Sequence, residues 1–203
     1  MRLLSCEEFE KQATAWGMRS IRDRFGFSRD DLESPWWWPK LERQEDTRPW
    51  QLAEFIVDSL EAAMLGGSVG FYLFPPGGQW KWHDQRTFCR VRNALLTGIG
   101  IPRGFEGAVY FTRDELDQLA GAVFARSFML DQYCGDCSDD SWIYPAHGRL
   151  YLHFDDEEIT WGMAAGTEAR KRFDEEIIRR GWGWLRRGEG TAENPWIAHD
   201  LEE

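Results

Sequence analysis

Four side chains that could bind a metal ion together lie within twenty residues of the sequence. Cys134 and Cys137 form a C-x-x-C pair, nine residues separate Cys137 from His147, and five more separate His147 from His153. Zinc binds tetrahedral sets of sulfur and nitrogen ligands, and these residues supply the right types. The spacing differs from that of a ββα zinc finger, and on a strand His153 would point away from Leu152 and from the core. The alternative is a turn that holds two half-buried thiols.

The same window, residues 133–161, has a high density of negative charge. Arg149 is its only lysine or arginine, and it contains seven carboxylates: Asp136, Asp139, Asp140, Asp155, Asp156, Glu157 and Glu158. An acidic surface speeds association with a positively charged protein. This favours a second interpretation, in which the window binds a basic protein through Asp139, Asp140, Asp155, Asp156 and Glu157.

Tryptophan is the second unusual feature, with twelve among 203 residues. Trp36, Trp37 and Trp38 are consecutive, and the prolines on both sides disfavour a helix, so we expect an extended loop. Three successive indoles cannot all point the same way, so at least one should be exposed unless another segment covers it. Tryptophan supplies much of the binding energy at protein interfaces, which makes these three residues candidate partner contacts. Packing of the loop over the core and stacking on a sugar are the alternatives.

Composition excludes several classes of function. The formal net charge of −11 repels phosphate backbones, so we expect no direct nucleic-acid partner. No apolar run approaches the roughly 20 residues of a membrane helix, and the N-terminal residues lack the apolar region of a signal peptide. We therefore expect a cytoplasmic protein whose four cysteines are thiols or metal ligands rather than disulfides.

No catalytic motif is recognisable. The sequence has no G-x-S-x-G nucleophile motif, and the Gly/Pro-rich residues 75–78 lack the G-K-[ST] of a phosphate-binding loop. The run of aspartates near Cys137 lacks the alternating ligands of a calcium-binding EF-hand loop. We therefore predict no catalytic residues, no cofactor other than a possible zinc ion, and a binding protein rather than an enzyme.

Hydrophobic periodicity predicts an α+β fold in which amphipathic helices pack on a small, mainly antiparallel sheet. We expect one globular domain over residues 1–203, with a mobile tail from about residue 197. Capping boxes at Ser5 and Thr112 mark two helix starts. The predicted helices span residues 5–16, 49–65, 84–96, 112–126 and 167–181, and residues 18–27 suggest a short helical turn. The predicted strands span residues 68–74, 107–111, 142–144, 149–154 and 158–161.

These observations lead to two main hypotheses. The first is an acidic module that binds a basic protein, most concretely an immunity protein or inhibitor that neutralises a toxin or enzyme. The second is a small metalloprotein with a Cys2His2-type zinc site between residues 134 and 153.

Overall fold

A computed structural model describes residues 1–21, 26–29, 36–39, 54, 56–62, 68–80, 87–127, 141–146, 150–154, 159–163, 171, 175–176, 179, 184–186 and 197–199. Within these residues the main structure is a sheet of nine strands, and two further strands form a small second sheet. Helices accompany the main sheet, so the predicted α+β class is confirmed.

The strands are, in chain order, β1 (Arg2–Leu4), β2 (Arg19–Ile21), β3 (Gly26–Ser28), β4 (Trp36–Pro39), β5 (Gly70–Phe74), β6 (Ala108–Thr112), β7 (Ser141–Pro145), β8 (Leu150–Phe154), β9 (Ile159–Met163), β10 (Trp184–Arg186) and β11 (Ile197–His199). The main sheet has the order β1-β6-β5-β7-β8-β9-β4-β10-β11, and every neighbouring pair is antiparallel. β2 and β3 pair with each other in the second sheet.

The helices are α1 (Cys6–Ala15), α2 (described over residues 56–62), α3 (Thr87–Gly98) and α4 (Leu116–Ser127). Both predicted capping boxes are present, because Ser5 and Glu8 exchange hydrogen bonds, as do Thr112 and Glu115. The described residues of the predicted basic helix, 171, 175, 176 and 179, are helical as well. None of the helices in the described residues is long and apolar enough to span a membrane.

Alternate side chains of the central strands enter two different cores. On β5, Phe71 and Leu73 pack with α2, α3 and α4 in a core that we call the helical core, whereas Tyr72 and Phe74 pack on the opposite face. The second core, which we call the aromatic core, lies between the sheet, α1 and the β2–β3 pair. Its larger members are Phe9, Phe27, Tyr72, Phe74, Trp142, Tyr144 and Tyr151. Both faces of the central strands are therefore covered.

Two local predictions were wrong. The segment predicted as a helical turn contributes β2 and β3, which pair with each other, and two hydrogen bonds join the backbone of Phe27 to the distant hydroxyl group of Tyr144. The segment predicted as a loop at Trp36–Pro39 is a strand that pairs with both β9 and β10. Local sequence patterns do not register such long-range partners.

The C-terminal residues bear on the predicted tail. Ile197–His199 form β11, which pairs with β10, and the residues after His199 lie outside the described residues. The boundary of the tail and the single domain over residues 1–203 stay predictions.

Candidate partner-binding end of the sheet

The residues predicted to bind a partner are attached to one end of the main sheet. Ser141 pairs with Phe154, so the chain enters β7 and leaves β8 at the same end. Asp140 and Asp155 lie outside the described residues, but each is directly bonded to a member of that pair. The acidic stretches on either side of this pair in the sequence therefore continue from the same end of β7 and β8.

β4 pairs with the start of β9 at this same end of the sheet. Phe154 pairs with Ile159, and Ile159 pairs with Trp37, so one row of backbone pairs runs from β7 to β4, and it continues to Arg186 on β10 and Ile197 on β11. We call the positions Ser141, Phe154, Ile159 and Trp37 the Trp37 row. Residues 155–158 lie outside the described residues, and they connect two adjacent members of this row. The register thus brings the strand of Trp36, Trp37 and Trp38 next to the strand ends from which the acidic residues continue.

A buried arginine lies beneath the Trp37 row. Arg126, on α4, is 0% exposed, and its Nε donates a hydrogen bond of 3.0 Å to Oγ of Ser141. Sequence analysis missed this residue, although it follows Leu119 and Val123 at helical spacing on the apolar face of α4. A guanidinium group in such a stripe indicates an internal polar contact, because a buried charge is retained only where polar groups solvate it.

A second buried arginine anchors α3, another helix of the same layer. Arg92, on α3, is 1% exposed and donates a hydrogen bond of 2.6 Å to the carbonyl oxygen of Trp80. The indole of Trp80 in turn donates to the carbonyl oxygen of Gly107 at 3.0 Å. The two arginines therefore tie α3 and α4 to the segments around the sheet through directional bonds as well as through apolar contact.

His153, a predicted metal ligand, lies inside the protein. It is on the opposite face of β8 from Leu152, as predicted, but it is only 1% exposed. Its imidazole packs on the indole of Trp142, the residue with which it is paired, with ring centroids 4.3 Å apart. The expectation that this face lies away from the core was wrong, because α1 and the β2–β3 pair build a second core there.

The other three members of the predicted metal set, Cys134, Cys137 and His147, lie outside the described residues. Among the side chains that the structure describes, no group of three or more His, Cys, Asp or Glu residues could hold a metal ion. The Cys/His set stays a prediction.

A row of tyrosines supports the same sheet from its aromatic face. Tyr72 on β5 is the register partner of Tyr110 on β6 on one side and of Tyr144 on β7 on the other. The ring centroid of Tyr151 on β8 is 6.4 Å from that of Tyr144. We call these four residues the tyrosine row. Sequence analysis missed it, because only the strand order shows that tyrosines from four separate segments are neighbours.

Tyr144, one of the two inner residues of this row, holds the β2–β3 pair on the sheet. The hydroxyl group of Tyr144 accepts a hydrogen bond of 2.8 Å from the amide of Phe27 and donates one of 3.1 Å to its carbonyl oxygen. Tyr144 is fully buried, and burial raises its pKa well above the ordinary value. The phenol therefore stays neutral, which lets it donate and accept at once.

The hydroxyl groups of Tyr151 and Tyr72, on either side of Tyr144 in the tyrosine row, also accept hydrogen bonds from side chains of this protein. The hydroxyl of Tyr151 accepts from Oγ of Ser28 at 3.4 Å, and that of Tyr72 accepts from the guanidinium of Arg2 at 3.3 Å. Burial also raises the pKa of Tyr72. These contacts indicate a structural role for Tyr72, Tyr144 and Tyr151, since the hydroxyl of each bonds to the chain's own atoms.

Cys6, on α1, has the character of a structural thiol. Its Sγ lies 3.5 Å from the carbonyl oxygen of Gly77, and it is half-buried. Burial raises its pKa, and the carboxylates of Glu106 and Glu10 add to this effect. A raised pKa reduces the thiolate fraction, and the thiolate is the nucleophilic form.

Comparisons with known proteins give no match: no protein-family model, no curated protein and no solved structure matches this chain.

Proposed function

We propose that this protein binds a basic protein partner in the cytoplasm, most concretely as an immunity protein or inhibitor that neutralises a toxin or enzyme. The observation that carries the proposal is the Trp37 row. Through it, a strand of three consecutive tryptophans adjoins the strand ends from which Asp139, Asp140 and residues 155–158 continue.

The residue types at this end of the sheet suit such a partner. Carboxylates attract lysine and arginine side chains over distance and speed the encounter, while indoles supply contact area once the complex has formed. Arginine also stacks on aromatic rings, so an interface with both residue types suits a cationic protein surface especially well. The formal net charge of −11 adds a long-range attraction for a positively charged partner.

The test is capture of the partner, followed by a functional assay of the pair. The protein is isolated from its host at low salt and weighed intact by native mass spectrometry. We expect a complex with one basic polypeptide that dissociates as the salt concentration rises. A protein that carries no polypeptide, or a neutral or acidic one, would contradict the proposal.

The inhibitor version makes a further demand on the captured polypeptide. Expressed alone it should arrest growth or show an enzymatic activity, and co-expression with this protein should suppress that effect. If the polypeptide is harmless and inactive alone, the protein is a binding module for it but not an inhibitor. The same spectra report any bound zinc as an added mass that a chelator removes, which tests the Cys134, Cys137, His147 and His153 set separately.

A further inference from the structure

We draw no further inference here: the strongest candidate, the partly exposed surface patch formed by Arg2, Trp16 and Tyr110 where α1 meets the edge strand β1, has residue types common at interfaces, but nothing in the structure shows what covers it.

Discussion

At the scale of single residues, the hydroxyl group of Tyr144 makes the most exacting contact in the aromatic core. We expect Tyr144→Phe to lower the free energy of unfolding by about 1–3 kcal/mol, because both backbone groups of Phe27 lose a buried partner while the ring volume is kept. Urea denaturation of the two proteins measures the difference.

The matched control for this substitution is Tyr151→Phe. It removes a hydroxyl group from the same tyrosine row, but the partner there is the side chain of Ser28 at 3.4 Å, which can turn to another acceptor. We expect a loss of less than about 1 kcal/mol. An equal decrease in the free energy of unfolding of the two variants would show that the hydrogen bonds to Phe27 stabilise the protein no more than the bond to Ser28 does.

Tyr144 also gives the stability a defined dependence on alkaline pH. Its pKa in the folded protein is raised by burial, whereas in the unfolded chain it is near the ordinary value of about 10. Above that pH the unfolded chain loses a proton that the folded protein keeps, so the free energy of unfolding falls as the pH rises, by up to about 1.4 kcal/mol per pH unit. Below it both states are protonated, and the stabilisation is fully present.

Denaturation at several pH values isolates this contribution when the protein is compared with Tyr144→Phe. The difference in stability between the two proteins should shrink from about pH 8 to about pH 11, because the variant has no phenol at this position to titrate. A difference that is constant over this range would mean that Tyr144 titrates alike in both states.

The sequence identifies candidate site residues by type but not by environment. The acidic window and the three tryptophans are visible as composition, and their attachment to one end of the sheet depends on the pairing of Trp37 with Ile159, which no local pattern encodes. His153 packs on Trp142, which belongs to a core that α1 helps to build from far away in sequence. Arg126 could have been found, since a cation at an apolar helical position is visible in the sequence itself.

At the scale of elements, the β2–β3 pair is fixed to the sheet by a close approach at Gly26. A β-carbon added there would overlap the indole ring of Trp142. We therefore expect Gly26→Ala to lower the free energy of unfolding by about 1–3 kcal/mol, as overpacked core positions do. Thermal or urea denaturation measures the loss.

Gly98→Ala is the control for the added methyl group. Gly98 ends α3, and a β-carbon there would meet no atom within 4 Å. The free energy of unfolding of Gly98→Ala should stay within about 1 kcal/mol of that of the parent protein, and it should be the higher of the two if alanine favours the last turn of the helix. A loss at Gly98 as large as that at Gly26 would contradict the close packing of the β2–β3 pair on Trp142.

Elements with local signals were predictable from the sequence. The capping boxes at Ser5 and Thr112 mark real helix starts, and the alternating residues of β5, β6 and β8 indicate strands. The sequence analysis missed β1, the β2–β3 pair, β4, β10 and β11, because these strands have three or four residues and are too short to show a period of two. Their partners, not their own sequences, determine their conformation.

At the scale of the whole molecule, the charge at one end of the sheet should matter more than the total charge. We expect Asp139→Lys with Asp140→Lys to weaken binding of the captured partner by at least about tenfold and to reduce the dependence of the affinity on salt. Asp156→Lys with Glu157→Lys should act in the same direction. Titration calorimetry at two salt concentrations measures both quantities.

A double variant with the same change in net charge separates a local effect from a general one. Glu10→Lys with Glu54→Lys reverses the charge of two exposed carboxylates. Glu10 lies on α1, and both residues are far from the acidic window in sequence. This variant should keep most of the affinity. If this control weakens binding as much as the two double variants in the acidic window do, net charge alone attracts the partner, and the Trp37 row is not the interface.

The position of α1 over the aromatic core has a consequence for synthesis on the ribosome. α1 is translated before the sheet strands β5 and β7 on which it packs, and its ten residues are too few for a stable helix in water. Three of the rings on which Phe9 packs, those of Tyr72, Phe74 and Tyr144, emerge much later. α1 therefore lacks part of its native packing until β7 has been translated, so this helix is made well before its contacts can be completed.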